Sequence, residues 1–247
     1  MMTDARSYSL RRLILPALFT LVGLAVLISL GQWQLQRKVW KEDLIASLTR
    51  QTTATPAPLP SSSGWTNLTR DNSEFRRVSL RADFIEGAPA AYLYSGGSAL
   101  RDDVKQPGYF VFAPARLPDG TAIVVNRGYV PMDRKTEPAS GPADITGYVR
   151  WPEAPSWFVS EHDAKGEIWF VRDPRTMASV RGWGPVAPFY IDQESPVPAA
   201  GLPRPGPLTV KLRNDHLGYA LTWFGLAGSL AAVFIAWALR QRYHKEA

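Results

Sequence analysis

Residues Leu217–Leu239 run for 23 positions without a charged side chain, and this run limits the possible folds more than any other feature. At about 1.5 Å per residue, a helix of that length crosses a hydrocarbon core of about 30 Å. A second apolar run, Leu13–Leu30, follows Arg11-Arg12 and carries Pro16 near its start. Ser29-Leu30-Gly31 mimics a small-x-small cleavage site. The run exceeds the apolar core of about 7–15 residues usual in a signal peptide, so it reads as a retained span. Two spans place both termini on one side of a membrane. The flanks that would decide which side are nearly balanced: the tails carry six Lys/Arg, and the inner flanks carry Arg37, Lys38, Lys41, Lys211 and Arg213. The positive-inside rule leans toward cytoplasmic termini.

The formal charge of +6 and pI of about 9.6 invite a nucleic-acid reading, but their distribution argues against it. Residues 1–12 net +2 and residues 240–247 net +2, which leaves only +2 for everything between. The basic excess therefore belongs to the short flanks of the spans, and no nucleic-acid partner is expected. The chain has no cysteine, which rules out disulfides, thiolate metal sites, iron–sulfur clusters and covalent haem attachment. Its three histidines, His162, His216 and His244, leave little room for a multi-imidazole zinc site.

This reading divides the chain as follows. Residues 1–12 form a tail, 13–30 the first span and 31–50 a helical extension into water. Residues 51–64, rich in Thr, Pro and Ser, read as a linker. Residues 65–198 carry strand signals, 199–216 return to the membrane, 217–239 form the second span and 240–247 the last tail. Within 65–198, strands are expected at Phe75–Phe84, Tyr109–Pro114, Ala122–Asn126, Ile145–Val149, Ile168–Val171 and Phe189–Ile191. Leu117-Pro118-Asp119-Gly120 predicts a hairpin turn. Asp173-Pro174 predicts the start of a short helix that ends near Val180. The expected fold is two transmembrane helices flanking a mainly-β soluble domain, a small antiparallel barrel or sandwich with one short helix.

Motifs for catalysis are missing. There is no Gly-x-Ser-x-Gly, no cysteine nucleophile and no Gly-rich phosphate loop after a strand, so an enzyme is not expected. Asp102-Asp103 reads as a solvated loop, and His162, in Glu161-His162-Asp163, as an exposed residue. Asn126-Arg127-Gly128 allows two readings. Arg127 at a strand end suits a propionate or carboxylate, and Gly128 suits a β-turn. Trp33, Arg37, Trp40 and Leu44 make an aromatic-basic stripe, either an interfacial belt or a face turned toward the second span. His216 stands one residue outside that span, with Tyr219 at i+3 and Trp223 at i+7 on its side of the helix. Such a histidine is either an interfacial anchor or a ligand of non-covalent haem iron.

Several stretches together resemble the Surfeit locus protein 1 family, called Shy in yeast, which are assembly factors of cytochrome c oxidase. They are Gly31-Gln32-Trp33-Gln34-Leu35-Gln36-Arg37, Glu74-Phe75-Arg76-Arg77-Val78, Val125-Asn126-Arg127-Gly128-Tyr129-Val130-Pro131 and Gly147-Tyr148-Val149-Arg150. They continue with Arg172-Asp173-Pro174, Phe189-Tyr190-Ile191-Asp192, and Leu212-Arg213-Asn214-Asp215-His216-Leu217 followed by Tyr219, Thr222 and Trp223. Thr52–Gly64 and Ser95–Gln106 carry no resemblance. The resemblance implies termini in the bacterial cytoplasm, a periplasmic domain and an inner-membrane location. It implies a chaperone-like role in which haem a leaves its synthase, is held at the membrane surface and passes to subunit I of the oxidase. His216 matches the proposed iron ligand, with Tyr219, Trp223 and Trp33 packing the macrocycle and Arg127 or Arg213 paired with a propionate. The rival expectation is a scaffold that binds no haem and uses its β-domain and small residues such as Gly225 and Ser229.

Overall fold

Alternation of apolar side chains on both faces of the central strands dictates a sheet covered on both sides, and the computed structural model shows how it is covered. It describes residues 4–98, 100–134, 136, 138–153, 162–163, 167–209 and 213–243, with side chains described from Leu13 to Gln241 among these. Lys211 and Leu212 of the returning segment, Glu161 and His244 lie outside the described residues. The chain divides into two compact units, residues 46–211 and residues 1–45 with 212–247.

The first unit is β-rich. Its strands are β1 (Ala57–Pro58), β2 (Arg77–Phe84), β3 (Ala91–Ser95), β4 (Gly108–Arg116), β5 (Ala122–Pro131), β6 (Gly141–Arg150), β7 (Ile168–Trp169) and β8 (Tyr190–Ser195). They hydrogen-bond in the order β1-β2-β6-β8-β5-β4-β3-β7, and β2 also pairs with β4. That last pairing closes β2, β6, β8, β5 and β4 into a five-stranded barrel, with β1, β3 and β7 added outside the closure. The expected mainly-β barrel between two long helices is present, and three of its pairings are parallel: β5–β8 within the closure, with Val124 opposite Tyr190, and β1–β2 and β3–β7 outside it.

The period of two sorts the core into two layers. Val78, Phe84, Ala113, Ile123, Val125, Ile145, Val149 and Ile191, drawn from all five barrel strands, form one cluster, which fills the barrel. Their neighbours Phe112, Val124 and Tyr190 point the other way, into a second cluster with Leu93, Trp169 and Met177. Met177 belongs to α3 (Pro174–Arg181), which covers the barrel's outer face. This helix starts as expected: the Asp173 carboxylate accepts from the backbone N–H groups of Arg175 and Thr176, and Pro174 fills the first turn. Gly182, at φ 70°, ends it in the left-handed region. The Leu117–Gly120 turn also forms, closed by a Gly120 N–H to Leu117 carbonyl bond of 2.9 Å.

Three segments differ from expectation. Residues 51–64 are structured: a helix extends through Thr53, β1 pairs with β2, and a 3₁₀ turn covers Ser62–Asn67. A one-turn helix, α2 (Arg70–Ser73), leads into β2. Residues 199–207 lie against the barrel, with Arg204 and Tyr129 exchanging two backbone bonds of 2.8 and 2.9 Å. Asp103 is not merely solvated. Its carboxylate accepts from Arg101 at 2.7 and 2.8 Å and from Arg204 at 2.9 Å, tying the 97–104 loop to the returning segment. His162 is half-buried, its ring edge-on to Trp169 at 4.9 Å.

The second unit is two long helices. Most of α1 (Asp4–Thr53) belongs to it, together with α4 (His216–Tyr243). Both contain stretches long and apolar enough to cross a membrane, Leu13–Thr53 and His216–Gln241. They pack antiparallel through small residues. A Cβ on Gly31 would come within 2.5 Å of the Phe224 ring, and one on Gly23 within 3.0 Å of Leu230. Ala220 and Ala227 are buried on the facing side of α4.

Candidate haem-ligand site on the helix pair

At 3.6 residues per turn, the sheltered side of α4 runs through His216, Ala220, Trp223, Phe224 and Ala227. His216 Nδ1 lies 2.7 Å from Gln34 Oε1 on α1. The carbonyl oxygen can only accept, so in the neutral imidazole this contact selects the tautomer with its proton on Nδ1 and its lone pair on Nε2. Asn214 Nδ2 donates to the Lys38 carbonyl at 3.4 Å, one turn further along α1. The same face of α1 that offers Gly31 to Phe224 thus offers Gln34 to His216.

Of the sequence-derived site residues, the structure places His216 and Trp223 together on this sheltered side. Tyr219 is 59% exposed, because the packing face leans toward i+4 and i+8, away from i+3. Trp33 is 53% exposed and lines a shallow groove with Ala25, Val26, Ser29 and Leu30. The Trp33–Arg37–Trp40 stripe therefore lies on the side of α1 opposite Gly31 and Gln34, so the reading that it turns toward the second span is corrected. The cation–π contact within it does form, with the Arg37 guanidinium 3.8 Å from the Trp40 ring. Arg213 is 89% exposed at its side chain and ion-paired with Asp215. Gln34 went unrecognised in the sequence, although its i+3 spacing from Gly31 marks it as the polar residue on the small-residue face.

Arg127 belongs to the β-rich unit. Its guanidinium lies 5.6 Å from the Phe84 ring, and burial lowers its pKa from the ordinary arginine value. Gly128 is not in a turn. Phe110 pairs with Tyr129 and Phe112 with Asn126, so Arg127 and Gly128 together oppose the single residue Val111. This is a β-bulge, and Gly128 adopts φ 121° at its centre. A Cβ there would lie 2.2 Å from the Arg204 carbonyl oxygen. The bulge reverses the alternation, sending Tyr129 to the outer layer where Val125 had faced the inner one.

Residues 21–228 match the SURF1 family. The chain belongs to this family. It is 33% identical over 231 residues to Surfeit locus protein 1 of Homo sapiens, covering 85% of this chain and 73% of that protein. The Takifugu rubripes protein of the same name is 31% identical, over 88% of this chain and 95% of its own. The SURF1-like protein of Drosophila melanogaster is 34% identical over 85% of this chain and 73% of its own. Membership of the SURF1 family carries a role in cytochrome c oxidase assembly, and with the two candidate spans it makes this a membrane-anchored protein.

Among the described residues, no group of three or more His, Asp or Glu side chains converges on a possible metal position. What the helix pair offers is one imidazole whose Nδ1 faces a carbonyl oxygen. Metal-bound histidines usually donate their second ring N–H to an oxygen acceptor, which orients the ring and raises its basicity. The His216–Gln34 bond provides that arrangement. The donor set fits a single axial nitrogen of a haem iron and does not fit a closed, all-protein metal cage.

Proposed function

We propose that this protein serves oxidase assembly by holding haem a as cargo on His216 before its insertion into subunit I. The observation that carries this reading is the 2.7 Å contact between His216 Nδ1 and Gln34 Oε1, which leaves Nε2 as the ligating nitrogen. Haem a bound there supplies an iron with an open axial position. Trp223 gives the macrocycle an apolar surface beside the ligand, and Tyr219 borders it from the outer side of α4. Arg213 reaches a propionate by exchanging Asp215. The protein holds and releases; it performs no covalent chemistry. Its partners in this reading are haem a synthase, oxidase subunit I and the surrounding lipid. The β-rich unit lies in the periplasm of a bacterial inner membrane, with both termini cytoplasmic.

A scaffold that binds no haem is the second reading, and one observation favours it. Gly218 and Gly225 on α4 have no atom within 4 Å of where a Cβ would sit, so this face is open to close approach by another helix. The absorbance spectrum of detergent-purified protein, co-expressed with a haem a pathway, separates the two. Haem a bands in wild type that vanish in His216→Ala support the cargo reading. A colourless wild type, from membranes rich in haem a, supports the scaffold.

A further inference from the structure

A cleft of about 240 Å³ opens in the β-rich unit, lined by Arg101, Arg150, Arg172, Asn126, Asp192 and Gln193 among others. Its charge pattern is asymmetric in hydrogen-bonding capacity. Both carboxylates in its wall are already engaged. Asp192 accepts from Asn126 at 2.6 Å and from Arg150 at 2.9 Å, and Glu153 accepts from Arg172 at 2.6 Å. Glu153 is held below the ordinary glutamate range; burial opposes its charge, and the attraction and hydrogen bonds of Arg172 outweigh that burial.

The arginines are not used up by these bonds. A guanidinium carries five N–H groups. Arg150 spends one on Glu74 at 2.8 Å and one on Asp192, and the Arg172 side chain spends one on Glu153. The side of Arg101 away from Nη1 is committed to Asp103 and the Arg204 carbonyl. Among the described residues the wall therefore has donors in surplus, which suits a ligand rich in acceptors.

One acceptor in the same wall is unmatched. Gln193 is 6% exposed; its Nε2 donates to the Pro196 carbonyl at 2.7 Å, while its Oε1 has no hydrogen-bond partner among the described residues. A buried acceptor left unpaired is destabilising, and a donor on a ligand relieves that cost. Leu100, Phe110 and Leu208 supply apolar wall between the polar groups.

We infer that this cleft binds a small organic carboxylate that also carries a hydroxyl or amine. The carboxylate accepts from the surplus guanidinium N–H groups, the short carbon stem lies against Leu208 and Phe110, and the O–H or N–H donates to Gln193 Oε1. A fully deprotonated inorganic oxyanion satisfies the arginines but not Gln193. The site lies wholly within the β-rich unit and does not depend on haem binding by His216.

The test uses the full chain in detergent, with thermal unfolding followed by tryptophan fluorescence at constant ionic strength. A ligand that binds only the folded state raises Tm in proportion to the logarithm of its concentration over Kd. L-malate is expected to raise Tm with the logarithm of its concentration, with about tenfold higher affinity than succinate, which lacks the hydroxyl. Gln193→Glu places a second anion at the ligand and is expected to abolish the malate shift. Ser98→Glu, at the half-buried rim, does the same without disturbing the interior, and answers the question if Gln193→Glu does not fold. No malate shift in wild type overturns the proposal, as does an unchanged shift in Ser98→Glu. A phosphate shift equal to or above that of malate overturns the carboxylate assignment.

Discussion

His216 on α4 and Gln34 on α1 are 182 residues apart in sequence and 2.7 Å apart in space. That single bond sets the imidazole's tautomer and its rotation, so it controls the lone pair that would meet iron. Gln34→Leu removes the acceptor at nearly constant volume and is expected to weaken haem a binding by about 10–100-fold, the usual effect of losing such a support. Gln34→Glu keeps an oxygen acceptor and is expected to retain haem. Titration followed in the Soret band reads both. Equal affinity in wild type and Gln34→Leu removes this bond from the site.

Gly31 reaches the same endpoint by a different route. Its missing Cβ lets the Phe224 ring close against α1, one helical turn from Gln34. Gly31→Leu forces the ring away and lengthens the His216–Gln34 contact, so its haem affinity is expected to fall as far as that of Gln34→Leu. Because both act on one contact, the double variant should be no worse than the more affected single variant. Additive losses would show that Gly31 acts elsewhere.

How much of this was legible in the sequence follows from how local each cause is. The Leu117–Gly120 hairpin and the capped helix α3 rest on adjacent residues, and both were readable. β1 was not, since two residues in a Thr/Pro-rich stretch become a strand only by pairing Ala57 with Val78. Barrel closure and the parallel β5–β8 pair depend on partners far apart in the chain, which alternation alone cannot order. Gly128 suits a turn in the sequence alone because a turn and a bulge ask the same thing of a glycine. His216 was visible from its position at the edge of an uncharged run, whereas Gln34 acquires its role only once the helices pair.

Gly128 gives a direct stability test of the bulge. Gly128→Ala meets both an unfavourable φ and the Arg204 carbonyl oxygen, so it either strains β5 or pushes residues 199–207 off the barrel. The expected cost is roughly 2–4 kcal/mol, which lowers Tm by on the order of 10 °C in a domain of this size. A Tm within a degree or two of wild type would mean that the returning segment is not docked at Arg204.

Asp103 makes a prediction about pH. Its hydrogen bonds from Arg101, aided by the nearby charge of Arg204, hold its carboxyl below the ordinary value of 3.8. A carboxyl whose folded pKa is depressed stabilises the fold at pH above its unfolded value. That contribution disappears as pH falls through the folded value, because the folded state must then take up the proton it resisted. Asp103→Asn is therefore expected to melt a few degrees below wild type at pH 7, matching roughly 1 kcal/mol for a partly exposed ion pair. As pH falls below 3.8 and through the folded value the two curves should converge, since wild type then loses the same charge. High salt should narrow the gap at pH 7 by screening the exposed Arg204 arm more than the buried Arg101 one. A gap that stays constant from pH 7 to the acid limit of folding would show that Asp103 acts through its shape and not through its charge.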